Sequence, residues 1–398
     1  KAAKNMRVKL LNYMKDFFDD QVDLNLRKSE NIIFGKSKDK STVYHLADVL
    51  NNHKIKFNNI SEDVVINGNK YSKDNSYIIP MNQAKRTLIK GMFNTQTKFQ
   101  DSLFYDVSAW TFPLAFNINY DYTDGLSQTN ISKLIDNQVD NLTKPNGFVD
   151  AKSEYAYIFE PHEYYTQAAI YKILDHGLRV KTATRKFSIN GKKYDYGTYM
   201  IQVQNQKLNS DEIYELLNDV SKKYNIRFES QPTGITDGID LGSDYFIIVK
   251  QPKIALIVGD GVRSYDAGEI WHLLDTRYDI PISKLDVNDL EYIELSKYSH
   301  IILPDYYSKK ISSDQINEYV TNGGNLIAYR NSIRWVSENI NEIELLSNNL
   351  IADAVSFDKR EAFYGAQQTG GAIFETIIDK SHPVNYGIES NILPLFRN

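Results

Sequence analysis

Two periods of apolar and polar residues alternate along this chain, and the switches between them mark its elements. Met6, Leu10, Leu11, Met14, Phe17 and Phe18 recur at helical spacing and predict an amphipathic helix over residues 6–18. An apolar helical face at the head of the sequence needs a surface to pack on, so this helix is expected to be the last element of a domain lying upstream. A short apolar run at residues 31–35, a helix over 42–52 capped by Ser41, and a strand at 55–57 predict one α/β unit. Val64, Val65 and Ile66 then run into Asn67-Gly68, a dipeptide suited to the positive φ angles of a tight hairpin. A strand at 77–80 and a helix over 83–94 follow.

The same order returns further along, with a strand at 155–159, a helix over 165–176 carrying Ala168, Ala169, Ile173 and Leu174 inward, and a strand at 178–180. Phe187-Ser188-Ile189-Asn190-Gly191-Lys192-Lys193-Tyr194 repeats the pattern of Val64-Val65-Ile66-Asn67-Gly68-Asn69-Lys70-Tyr71, and Asn67 to Asn190 and Gln83 to Gln206 share one offset of 123 residues. This points to an internal duplication, two half-domains packed pseudo-symmetrically. Between them, residues 117–151 are rich in Asn, Asp, Thr and Ser and read as a long irregular excursion with one helix over 127–141. A boundary near Lys250-Gln251-Pro252 opens a third unit. It has strands at 254–258, 283–285, 301–304 and 326–329, a helix around 268–274, and another over 314–322 stopped by Gly323-Gly324. That alternation predicts a parallel sheet covered on both faces.

Composition narrows the chemistry. Lys and Arg number 46 against 51 Asp and Glu, a net charge of -5 with no basic stripe, so nucleic acid is not an expected partner. No apolar run is long enough to span a bilayer. With no cysteine, disulfides, thiolate metal sites and a Cys nucleophile are excluded. Gly259-Asp260-Gly261 stands where a dinucleotide fold would hold phosphate, but Ser264 replaces the third glycine of G-x-G-x-x-G, and a tight turn is the simpler reading. The seven histidines form no H-x-x-E or H-E-x-x-H; His45 with Asp48 and His162 with Glu163 are neighbours of the kind common on solvated surfaces, and His382 before Pro383 reads as a turn residue. Ser332 follows a strand where related folds place a nucleophile, but it lacks the G-x-S-x-G context and a nameable His-acid pair. The segment 99–116 interleaves aromatics with acids and hydroxyls. Phe104, Tyr105, Asp106 and Trp110 are its candidate ligand contacts, forming either a docking surface for an upstream domain or a wall that touches peptide or glycan.

That segment, with Tyr77-Ile78-Ile79-Pro80-Met81-Asn82-Gln83, resembles the part that follows the catalytic domain in a bacterial branch of the carboxypeptidase-A-like zinc carboxypeptidases. The unit from Pro252 resembles the class I glutamine-amidotransferase-like domain found near the C-terminus of such proteins, with Ser381-His382-Pro383 and Leu393-Pro394-Leu395-Phe396 resembling its closing portion. The resemblance implies residues 1–27 as the terminal helix of a missing peptidase domain. It implies a duplicated α/β domain over 28–249, with halves at 28–116 and 153–249 joined by 117–152, and a degenerate, doubly wound amidotransferase-like α/β domain over 250–398. Family zinc is held by an H-x-x-E pair and a later His beside a general-base Glu, and none of these positions exists here. No cofactor is therefore expected in this chain, and zinc is expected upstream. No catalytic residue is carried over, because amidotransferases need a Cys. The resulting expectation is an exported accessory or scaffold region partnered by the upstream peptidase domain, with a peptide- or glycan-binding module or a Ser332 hydrolase as the alternatives.

Overall fold

The computed structural model describes residues 2–19, 30–97, 111–124, 126–341, 343–345, 353–365, 367 and 371–397. The chain is mixed α/β and divides into two compact units, one of Lys1–Asn146, Glu160–Tyr164 and Ala352–Asn398, the other of Gly147–Phe159 and Tyr165–Ile351.

In the first unit, α1 (Ala2–Asp19) forms at the helical period of its apolar residues, and residues 4–18 are all exposed. β1 (Asn31–Gly35) is buried throughout. α2 (Lys40–Asn52) starts earlier than its pattern predicts. Its cap is Asp39 and not Ser41, because both carboxylate oxygens are used: one accepts from the Thr42 N–H at 3.0 Å, the other from the Thr42 hydroxyl at 2.5 Å. β2 (Asn58–Ile60) lies beyond the expected 55–57, where Ile55 and Phe57 are buried without belonging to a strand. β3 (Val64–Ile66) and β4 (Asn69–Tyr71) form the anticipated hairpin, with Asn67 at φ 50° and Gly68 at φ 86° in the left-handed region its two-residue turn demands. β5 (Ser76–Pro80), α3 (Arg86–Phe93), α4 (Phe112–Ala115), β6 (Asn119–Tyr122), α5 (Gln128–Leu134) and β7 (Ile135–Gln138) follow. The expected irregular excursion thus supplies both edges of the sheet. Edge strands bury only part of their surface, so polar sequences such as Asn-Tyr-Asp-Tyr and Ile-Asp-Asn-Gln serve there without an apolar run to announce them. The sheet order is β6-β1-β5-β2-β7, antiparallel at every pair.

The second unit opens with β8 (Phe148–Val149), β9 (Ala156–Phe159), α6 (Thr166–Asp175) and β10 (Val180–Ala183). β11 (Phe187–Ile189) and β12 (Lys192–Tyr194) make a second hairpin, with Asn190 at φ 50° and Gly191 at φ 79°. β13 (Tyr199–Gln202), α7 (Ser210–Tyr224), β14 (Arg227–Gln231) and β15 (Phe246–Val249) complete the first part. Its sheet runs β15-β10-β13-β9-β14-β8. Matched by place along the chain, β14-β9-β13-β10-β15 takes the same order as β6-β1-β5-β2-β7, again antiparallel throughout, with β8 added in parallel beside β14.

β16 (Ile254–Val258), α8 (Ser264–Trp271) with a π-helical turn over His272–Arg277, β17 (Ile282–Asp286), β18 (His300–Leu303), α9 (Ser313–Thr321), β19 (Asn325–Ala328) and α10 (Ser332–Asn339) build the rest of this unit. Their sheet, β17-β16-β18-β19, is parallel at every pair, as the alternation predicts. Gly323, at φ 91°, follows the end of α9. The residues after 351, with α11 (Arg360–Gly365) and the antiparallel pair β20 (Ala372–Ile377) and β21 (Ile392–Arg397), belong to the first unit. No helix among the described residues is long and apolar enough to cross a membrane.

Candidate functional site

In an open parallel sheet, ligands sit beyond the carboxyl ends of the strands where the strand order reverses. Here that point lies between β16 and β18. The loop Gly259-Asp260-Gly261 leaves β16 and is tied to the chain around it by three backbone bonds. Val262 N–H bonds the Gly259 carbonyl at 3.0 Å, Arg263 N–H the Asp305 carbonyl at 2.9 Å, and Tyr307 N–H donates back to the Gly261 carbonyl at 3.0 Å. Asp260 adds a negative charge, paired with Lys310 at 2.5 Å, which holds its carboxyl below the usual range. A phosphate would meet that carboxylate, and the bonds of Gly261 and Arg263 to Tyr307 and Asp305 make the loop a turn that joins two strand ends.

Behind the loop lies a closed ionic cluster. Asp266 is buried in the first turn of α8 and Asp305 just past β18, with exposures of 5% and 2%. Arg330, two residues past β19, donates to Asp266 at 2.8 Å, and its Nε lies 3.8 Å from Asp305. Arg263 reaches both acids, at 3.8 Å and 3.7 Å. Asn331 completes the set by giving Asp305 its backbone N–H at 3.2 Å and its side-chain amide at 2.9 Å. Two buried carboxylates are thereby matched by two guanidiniums, which is how charges persist away from water. Burial pushes the neighbouring Tyr329 hydroxyl up to about 12, with the Asp266 charge acting in the same direction. Arg330 itself sits at φ 58°, a left-handed conformation uncommon for a residue with a Cβ.

Ser332 lies wholly buried in the first turn of α10, and its hydroxyl donates to the Pro304 carbonyl. That hydroxyl faces neither solvent nor a histidine, and the arrangement gives it a structural bond and no base. Of this constellation, the sequence reading singled out only the turn at Ser332. Asp266 and Asp305 escaped it, although an acid immediately after the apolar run Ile301-Ile302-Leu303-Pro304 is a usable signal: a charge at the carboxyl end of a buried parallel strand.

The remaining candidates are dispersed. Phe104, Tyr105, Asp106 and Trp110 lie outside the described residues. His45 is on α2 with its ring 5.2 Å from that of Tyr164, His162 lies 3.8 Å from Glu160, and His382 accepts the Val384 N–H at 3.3 Å, capping a turn. Among the described residues no three His, Asp or Glu side chains are grouped so as to hold a metal ion. At the opposite, amino-terminal end of the parallel sheet, a cavity of about 540 Å³ is lined by Pro252, Ile293, Tyr298, His300, Gln315 and Tyr319 among others. Burial lowers the pKa of His300, whose Nδ1 is 2.9 Å from the Ser299 hydroxyl.

No protein-family model matches the chain, and comparison with curated proteins and with solved structures returns no significant match.

Proposed function

We propose that this chain is a non-catalytic accessory and scaffold region, of the kind that follows the catalytic domain in carboxypeptidase-A-like zinc peptidases. The observation that carries this reading is the turn after β19. Where an amidotransferase-like domain would present a nucleophile, Arg330 is clamped by two buried acids and Ser332 spends its hydroxyl on Pro304. The nucleophile position is thereby taken up by internal bonds, and the part of the cluster that meets solvent is the half-exposed Arg263, a cation and no nucleophile. Support for a degenerate, doubly wound domain comes from the all-parallel β17-β16-β18-β19 order. Support for a duplicated domain before it comes from the shared strand order and the repeated Asn-Gly hairpins. Zinc chemistry would belong to a partner peptidase domain, since among the described residues no group of His, Asp and Glu supplies its ligands.

Metal analysis and turnover assays on the purified chain test this, using C-terminal peptide, glutamine and ester substrates. The expected result is zinc well below one per chain and no turnover above background. Stoichiometric zinc, or ester turnover abolished by Ser332→Ala, would overturn it.

A further inference from the structure

In the first unit, the short segment Glu160–Tyr164, which in the chain joins β9 to α6, is seated on the start of α2. Its Tyr164 N–H donates to Asp39 at 3.2 Å, on the same carboxylate oxygen that caps the helix. Lys38 pairs with Glu160, and the Tyr164 ring meets His45 edge-on. Glu163 is thereby turned inward, its carboxyl against the Ser41 backbone N–H and close to the charges of Asp39, Lys40 and Glu389. Lys36, 3.5 Å from Asp39, Ser37, which donates to Glu389, and His162, 3.8 Å from Glu160, are further polar groups of the seat.

Three oxygens in this seat are shielded from water and have no hydrogen-bond partner: Oε2 of Glu163, Oε1 of Glu389 and Oγ of Ser41, the last in a residue only 1% exposed. Glu163 is crowded by the carboxylates of Asp39 and Glu389, and Lys36 lies 3.5 Å from Asp39, so Lys40 and the Ser41 N–H are what compensate a charge on Glu163. A hydrogen on Glu163 answers both difficulties. It removes one charge, and a neutral carboxyl costs less than a carboxylate to hold away from water without a partner.

We propose that the segment Glu160–Tyr164 is fastened to α2 by a proton, with neutral Glu163 holding it in place and ionised Glu163 releasing it. The electrostatics agree in direction. Burial raises the Glu163 pKa well above the ordinary 4.5 and Asp39 adds to the rise; the Ser41 N–H and Lys40 oppose it, and Glu389 raises it further. Because the value is raised in the seated state, the fastening is fully present below 4.5 and is lost as pH climbs through the raised value.

The test is hydrogen exchange at the Tyr164 amide in the whole chain, corrected for intrinsic exchange, together with carboxyl-carbon NMR of Glu163. In the wild type, opening should grow by up to about tenfold per pH unit across the Glu163 titration, the limit for loss of one proton. Glu163→Gln, which keeps a donor and cannot ionise, should abolish that dependence. Glu389→Gln should keep it and move it to lower pH. A Glu163 carbon that titrates near 4.5, or an unchanged pH profile in Glu163→Gln, overturns the proposal. Should Glu163→Gln fail to fold, the direct titration and Glu389→Gln decide the matter alone.

Discussion

The side-chain amide of Gln83 stands in for a strand. Its oxygen accepts the Lys56 N–H at 2.9 Å and its nitrogen donates to the Lys56 carbonyl at 2.9 Å, which satisfies both backbone groups of an extended residue that no strand neighbours. Gln206 does the same for Arg179, at 2.9 Å and 3.0 Å. Each substitution to Ala removes the same pair of bonds from an exposed residue that water can re-solvate, so Gln83→Ala and Gln206→Ala should each cost about 0.5–1.5 kcal/mol in urea unfolding, and by similar amounts. A large inequality would mean that the two positions are alike in sequence only. Asp305 poses the harsher case, because it is buried and holds Asn331 twice and two guanidiniums at longer range. Asp305→Ala should destabilise by about 2–4 kcal/mol, discounted from a fully buried pair because Arg330 and Arg263 remain partly solvated. A loss under about 0.5 kcal/mol would show that the cluster is not needed to hold the strand ends together.

At the scale of elements, the hairpins explain what was legible. Their Asn-Gly turns are a local backbone requirement, and local requirements are written in local sequence. Where each hairpin is tied down is a tertiary matter. Tyr71 donates to Asp121 on β6 at 2.6 Å, helped by Asn67 and Asn69, while Tyr194 donates to Glu229 on β14 at 2.8 Å, helped by Lys192. The tyrosines fall at the repeat offset, but the acids lie on β6 and β14, whose polar sequences conceal them as strands, so the tie could not be read in advance. The cap of α2 went the same way: Ser41 and Asp39 are both acceptable caps by residue type, and only the Thr42 geometry selects Asp39. Tyr71→Phe and Tyr194→Phe should each cost about 1.5–3 kcal/mol, as expected for hydrogen bonds to ionised acceptors. Their alkaline behaviour should differ from that of the wild type. Burial first, and Asp121 second, raise the Tyr71 pKa above the ordinary 10. The stabilisation it contributes is therefore present below pH 10 and lost above it, and Tyr71→Phe should flatten that part of the pH-stability curve. An unchanged alkaline limb would assign the loss to other groups.

Across the molecule, the long apolar runs were readable because buried central strands carry them, and the long-range order was not, because it depends on which polar segment closes each edge. The two five-stranded arrays share that order, yet they differ in one respect. β14 is covered on its outer side by β8, through Arg227 opposite Phe148 and Phe228 opposite Val149, whereas β6 ends its sheet. A strand paired on one side leaves alternate N–H groups to solvent, so protection should follow coverage more than sequence position. Amide exchange should then be slowest in β1, β5 and β2 and in β9, β13 and β10, each with a neighbour on both sides. β6, β7 and β15 should exchange faster by about tenfold or more in their outward amides, with β15 prominent because Ile247 and Ile248 leave its apolar surface about half in solvent, at 49% and 61%. The discriminating strand is β14. It should be protected like its central neighbour β9 at Arg227 to Phe228 and resemble β6 only beyond the reach of β8. If β14 exchanges along its whole length as β6 does, the added strand contributes nothing to the second array, and the two sheets are equivalent in energy as well as in order.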